Sequence, residues 1–158
     1  MNAQQAFSDA VAMITARIAG QPLDDSLLVF LNENFPPGGE AFDDLAELCR
    51  QGIEDGWLCD REQGGIKFGR IIKPGPDTNG FSVDVVEMDD IRGPYHGHPN
   101  GEIDMVIPVT TDAEFEGQGQ GWKVYEADSA HYPTVSGGKA IVLYLLPDGA
   151  IDFSRAAS

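Results

Sequence analysis

Residues 93–104 read GPYHGHPNGEID. His96 and His98 stand two apart, so on a strand both imidazoles leave the same face. A turn follows them, and that turn decides where Glu102 points. A two-residue Asn100-Gly101 turn would pair Pro99 with Glu102 and send Glu102 to the opposite face. A three-residue loop of Pro99, Asn100 and Gly101 pairs His98 with Glu102 and His96 with Asp104 instead. The residue types favour the second: proline presets φ at the first turn position, asparagine suits the next, and glycine takes the left-handed residue. His96, His98, Glu102 and Asp104 are then expected on one face, with Ile103, Met105 and Ile107 on the other.

A strand whose second face is apolar is usually buried on both, and buried imidazoles and carboxylates need partners. A divalent cation satisfies them together. Two imidazoles and a carboxylate suit Fe(II), Mn(II), Ni(II) or Zn(II), with positions left for water or substrate. The chain has three histidines, and the third, His131, lies 29 residues beyond Glu102 in EADSAHYPTV. That interval holds two more strands, so His131 can return beside the first pair in a closed barrel. The competing reading is an exposed hairpin carrying surface imidazoles, with His131 unrelated.

Outward from this stretch, the chain changes character near residue 60. After it come short apolar runs separated by turns: IKFGRIIK, FSVDVVEM, EIDMVIPV, AEFEG, WKVYEA and KAIVLYLL. Strands of this length without helices between them predict an antiparallel sandwich or barrel over 61–158. EGQGQGW precedes a strand, so it reads as a hairpin connection and not as a phosphate loop. Before residue 60 the spacing is helical: Phe7, Val11, Ile14 and Ile18 form one stripe, and a second helix covers DDSLLVFLNENF. A third covers EAFDDLAELCRQGIEDGW, with Phe42, Leu45, Leu48 and Ile53 inward. Residues 1–60 are thus a helical region expected to pack on the barrel or on a dimer partner, giving a mainly β, α+β chain.

Composition narrows the partners. The 158 residues carry 26 acids against 10 bases, a net charge of −16. That field repels nucleic-acid backbones and anionic membranes, and the third helix is too acidic for a winged-helix recognition element. It does not exclude an anionic small molecule, because screening cuts exposed charges off beyond about 8 Å. No run of about 18 apolar residues could span a bilayer. The start lacks the features of a secretion signal, and Cys49 and Cys59 cannot build a disulfide framework, so a cytoplasmic protein with structural thiols is expected. Trp57 and Trp122 read as core or interface anchors.

HGHPNGE resembles the first motif of the cupin superfamily, H-x-H-x(3 or 4)-E between glycines, and DSAHYP stands where the second-motif histidine belongs. Val109, Glu126, Asp128 and Val135 depart from the flanking pattern. The wider layout, an acidic helical third followed by RGPYHGHPNGEIDMVIP and GWKVYEADSAHYPTVSGGKAIVLYLLPDG, is similar to the 4-hydroxylaminobenzoate lyase family. The resemblance implies a cupin-like antiparallel β-barrel (a double-stranded β-helix) with His96, His98, Glu102 and His131 as ligands of a divalent metal. It also implies conversion of 4-hydroxylaminobenzoate to 3,4-dihydroxybenzoate with release of ammonia. Glu102 and Asp104 are the candidate acid/base groups for such chemistry. Arg70 and Arg92 are candidates to grip the substrate carboxylate, with Tyr95 and Tyr132 beside the aromatic ring. The alternatives are another metal-dependent cupin enzyme, such as an Fe(II) aromatic-ring dioxygenase, or a small-molecule-binding cupin without turnover. A homodimer is expected.

Overall fold

Asn2 opens the first helix by accepting a hydrogen bond from the Gln5 amide, and α1 runs Ala3–Ile18. This computed structural model describes residues 2–154. Asp24 caps α2 (Asp25–Asn34) in the same way, accepting from the Ser26 and Leu27 amides, which satisfies donors that a helix start leaves open. α3 (Glu40–Asp55) ends at Gly56, whose left-handed φ of 87° closes the helix. Phe7, Val11, Ile14 and Ile18 are buried as their spacing predicts. On α3 the buried stripe is Phe42, Leu45, Ala46, Cys49 and Gly52, with Leu48 and Ile53 half-buried on its flanks. None of the described helices is long and apolar enough to cross a membrane.

Among the described residues nine strands follow: β1 (Arg61–Gln63), β2 (Ile66–Ile72), β3 (Phe81–Arg92), β4 (His96–His98), β5 (Glu102–Pro108), β6 (Glu114–Phe115), β7 (Gly121–Tyr125), β8 (Ser129–His131) and β9 (Thr134–Pro147). The large antiparallel sheet has the order β1-β2-β3-β9-β5-β7, with β6 attached to β9. A small sheet pairs β4 with β8, and the chain's end joins it through mutual backbone hydrogen bonds between Gly97 and Asp152.

Both faces of the large sheet are buried. Val83, Val85, Ile103, Met105, Ile107, Ile141, Leu143 and Leu145 share one core with the helices, where Trp122 donates its indole N–H to the Phe35 carbonyl at 2.8 Å. Alternate residues on the same strands, Val106, Val142, Tyr144 and Leu146, line the opposite face with Met88 and Phe115. The period of two therefore assigns each strand residue either to the helical layer or to the interior facing the small sheet. Trp57 packs edge-on against Phe7 with ring centroids 5.6 Å apart. Cys49 and Cys59 are both free thiols in this helical core.

Two details of the expected architecture change. Glu102 and Asp104 do not pair with His98 and His96, because β5 uses both edges, one on β7 and one on β9. With no edge left for β4, the chain crosses between sheets in a tight turn, where the Gly101 amide donates to the His98 carbonyl at 3.1 Å. β4 pairs instead with β8, His96 opposite His131 and His98 opposite Ser129. The strands thus form two facing sheets and not one continuously hydrogen-bonded barrel. β1 and β8, each three residues long and without a fully buried side chain, carry no periodicity that could announce them.

Gly101 is the residue that permits this crossing. Its φ is 87°, and a Cβ there would come within 2.7 Å of both the Leu23 side chain and the Tyr125 carbonyl. Gly101→Ala is expected to cost about 1–3 kcal/mol of folding stability, read from the midpoint of denaturant unfolding. An unchanged midpoint would mean that the crossing tolerates a side chain.

Candidate metal centre

β4 presents His96 and His98 toward the large sheet, β8 brings His131 alongside in register, and β5 supplies Glu102 at its first residue. His98 Nε2 lies 3.0 Å from Glu102 Oε1 and 3.1 Å from His131 Nε2. His131 Nε2 is 3.7 Å from Glu102 Oε2. The His96 ring stands edge-on to both other imidazoles, with centroids 4.6 and 5.0 Å away. One ligand atom from each of the four residues falls within 4.8 Å of the others. His96, His98, Glu102 and Asp104 do not share one face as the three-residue loop predicts; the histidines project from the small sheet toward the carboxyl groups of the facing large sheet.

Burial sets the protonation states. It lowers all three imidazole pKa values: His98 to about 3, helped by the other two histidines, His131 to about 4, and His96 below its ordinary value. Burial likewise pushes Glu102 up to about 8. Asp104, two residues along β5 and fully buried, is raised well above the carboxylate range by burial and by the neighbouring Glu102 charge. Left to itself the site is therefore neutral: three uncharged imidazoles, and carboxyl groups that retain protons.

Such a site is also incomplete. His96 Nε2 is buried without a hydrogen-bond partner, and the Glu102 and Asp104 carboxyl groups have each other for partners. His96 Nδ1 lies 3.0 Å from the Pro94 carbonyl, so it carries the hydrogen and turns the lone pair of Nε2 to the cluster. Three imidazoles and a carboxyl group whose nitrogen and oxygen atoms converge in a buried space fit a divalent transition-metal ion. A cation there would favour the ionised form of Glu102 and reverse the effect of burial.

A cavity of about 750 Å³ opens beside the cluster, and His96 and Glu102 form part of its wall. Most of its lining is apolar, including Ile66, Phe68, Val86, Met88, Leu146 and Ile151, which suits an aromatic ring. Arg70 and Arg92 both line it. Arg70 is held bidentately by Asp84, at 2.8 and 3.2 Å, and also donates to the Gly149 carbonyl at 3.1 Å. The Arg92 guanidinium lies over the Tyr132 ring, 4.3 Å from its centroid. Tyr95 and Tyr132 pack on each other, centroids 4.9 Å apart, and are not part of the cavity wall. Asp104 stands behind Glu102, also off that wall.

Tyr144 lines the cavity from β9, in alternation with Val142 and Leu146. Two further neighbours of the site were not singled out from the sequence. Phe153 reaches the His96 ring at 5.3 Å because Asp152 bridges to Gly97, a pairing that one residue cannot announce in sequence. Glu116 approaches His131 Nδ1 to 2.7 Å.

Residues 9–153 match the family described as 4-hydroxylaminobenzoate lyase. A 4-hydroxylaminobenzoate lyase of Nocardioides sp. (strain LMS-CY) is 35% identical over 97% of this chain and 96% of its own length. A second, from Pseudomonas putida, is 32% identical over 90% of each chain. Among solved structures, one of a DMSP lyase aligns with 96% of this chain and 100% of its own at a TM-score of 0.50, with 12% identity, a likeness of fold alone. The chain belongs to the 4-hydroxylaminobenzoate lyase family.

Proposed function

We propose that this chain is a carbon–nitrogen lyase that converts 4-hydroxylaminobenzoate to 3,4-dihydroxybenzoate and ammonia at a divalent metal held by His96, His98, Glu102 and His131. The observation that carries the reading is the buried, donor-poor cluster opening into an apolar, arginine-bearing cavity, in a chain of this family. The overall reaction consumes one water. The N–O bond breaks, nitrogen leaves the ring as ammonia, and two ring carbon–oxygen bonds form. The two electrons that reduce nitrogen come from the ring, so no outside oxidant is required. The metal, when bound, supplies Lewis acidity and lowers the pKa of a coordinated water.

The chain's own groups do the rest. The apolar wall holds the ring and excludes bulk water, and the cluster end receives the hydroxylamino group. Glu102 serves as ligand and, from the cavity wall, is the carboxylate closest to the reacting end. Asp104, behind it and raised well above the carboxylate range by burial and by Glu102, is placed to exchange a proton with Glu102. Arg92 grips the substrate carboxylate. Its guanidinium has no carboxylate within ion-pair reach among the described residues and is braced on Tyr132, whereas Arg70 is committed to Asp84 and shapes the wall. The identity of the metal is open among Fe, Mn, Ni and Zn.

Purified protein supplied with 4-hydroxylaminobenzoate is expected to release ammonia and form the catechol acid in equal amounts without taking up O₂. Chelation should abolish turnover, and a divalent ion should restore it. His98→Ala should lower kcat by roughly 10³-fold or more through loss of the metal. Full activity in protein shown by elemental analysis to be metal-free would sink the metal reading. Oxygen uptake without ammonia would sink the lyase reading.

Arg92→Ala is expected to raise KM roughly 10- to 100-fold, the worth of a hydrogen-bonded charge, with a smaller change in kcat. Arg70→Ala should chiefly lower stability, because it strands Asp84. The reverse pattern in steady-state kinetics would assign the grip to Arg70.

A further inference from the structure

Each imidazole has a second ring nitrogen, and what that nitrogen touches differs sharply among the three. His96 Nδ1 meets a neutral backbone carbonyl, that of Pro94, at 3.0 Å. His98 Nδ1 is buried with no partner. His131 Nδ1 alone faces a carboxylate, Glu116 Oε1 at 2.7 Å. The carboxylate approaches obliquely to the ring plane's N–H direction, so the contact is one of ion-pair distance and not an in-line hydrogen bond.

An ionised carboxylate oxygen 2.7 Å from Nδ1 favours the tautomer that carries the hydrogen there over one with a bare lone pair. Its Nε2 then bears the lone pair, and Nε2 is the atom that faces His98 Nε2 at 3.1 Å and Glu102 at 3.7 Å. The backbone is bent to make this approach. Glu116 has a φ of 51°, a left-handed conformation that side chains other than asparagine and aspartate seldom adopt. On either side the chain is pinned: the Glu116 amide donates to the Thr134 carbonyl at 2.9 Å, and Phe115 and Gln118 exchange backbone hydrogen bonds. The kink breaks strand alternation, so that the buried Phe115 ring, 6.3 Å from the His131 ring, and the Glu116 carboxylate both reach the same imidazole. A strained non-glycine residue held by surrounding structure and aimed at a candidate ligand calls for a role.

We propose that Glu116 is a positioning residue for the metal centre: it fixes His131 in the tautomer and ring orientation that turn Nε2 toward the cluster. The proposal rests on the metal-centre reading above for its effect on affinity, while its effect on the His131 tautomer stands without a metal. A hydrogen-bond acceptor on the far nitrogen of a ligating histidine fixes its tautomer and ring orientation, and losing it typically costs 10- to 100-fold in metal affinity. Glu116 itself does not reach the cavity wall, so it acts through His131 and not on substrate.

The test uses three variants of the full chain, with metal affinity measured by competition against a chelator and histidine tautomers by ¹⁵N NMR of the metal-free proteins. Glu116→Ala removes the partner, and Glu116→Asp keeps the charge and suits the left-handed backbone but withdraws the carboxylate by one methylene. Both are expected to weaken metal binding about 10- to 100-fold and to release His131 from a single Nδ1–H tautomer. Glu116→Gln keeps an acceptor oxygen in place without the charge, and should retain most of the affinity and the tautomer. Should Glu116→Ala fail to fold, Glu116→Asp and Glu116→Gln still separate geometry from charge. Wild-type affinity and an unaltered His131 tautomer in Glu116→Asp would overturn the proposal, as would Glu116→Gln losing as much as Glu116→Asp. A wild-type protein that binds no metal would instead remove the metal-centre reading, and the tautomer comparison would still decide for or against Glu116.

Discussion

The contact between His98 and Glu102, 3.0 Å apart and fully buried, joins the small sheet to the large one. It is a constraint before it is a bond. Imidazoles and carboxylates withdrawn from water need compensation, and here the compensation is incomplete, since His96 Nε2 finds no partner. Burial alone would keep Glu102 protonated and the histidines neutral. A divalent cation reverses that preference for the carboxylate and uses every lone pair that the two sheets bring together. The interior face of the large sheet sets Glu102 and Asp104 among the apolar Val106, Val142, Leu146 and Phe115 and the Tyr144 ring.

The rest of the molecule supports that spot from opposite sides. Ile103 and Met105 anchor β5 in the helical core, so Glu102 and Asp104, which alternate with them, are held at the other face by a rigid strand with both edges paired. The small sheet is thinner, two short strands plus the Gly97–Asp152 bridge, and carries His96 and His98 on β4 and His131 on β8. The helices lie against the face away from the site and contribute no ligand. Their contribution is to bury the back of β5, β7 and β9.

Much of the site was legible in the sequence, though by a partly wrong route. The H-x-H spacing and the apolar Ile103-Met105-Ile107 alternation place His96, His98, Glu102 and Asp104 toward a common interior, and the structure agrees. The pairing inferred from the Pro99-Asn100-Gly101 loop does not occur, because turn chemistry cannot reveal that β5 has no free edge. Gly101 was read correctly as left-handed, yet it serves a crossing between sheets and not a hairpin. The three helices were visible because sixteen- and ten-residue amphipathic segments repeat their signal over several turns. β8 and the Asp152 bridge consist of one to three residues and repeat nothing. Glu116 was invisible for the same reason: its importance comes from a backbone kink in a short connection, with His131 fifteen residues further along the chain.

The most direct test of the account is X-ray anomalous scattering on crystals of protein purified without chelators. The account predicts a single transition-metal scatterer bonded to His96, His98 and His131 through Nε2 and to the Glu102 carboxylate. A site without a scatterer, with the imidazole nitrogens satisfied by one another and by a protonated Glu102, would contradict it.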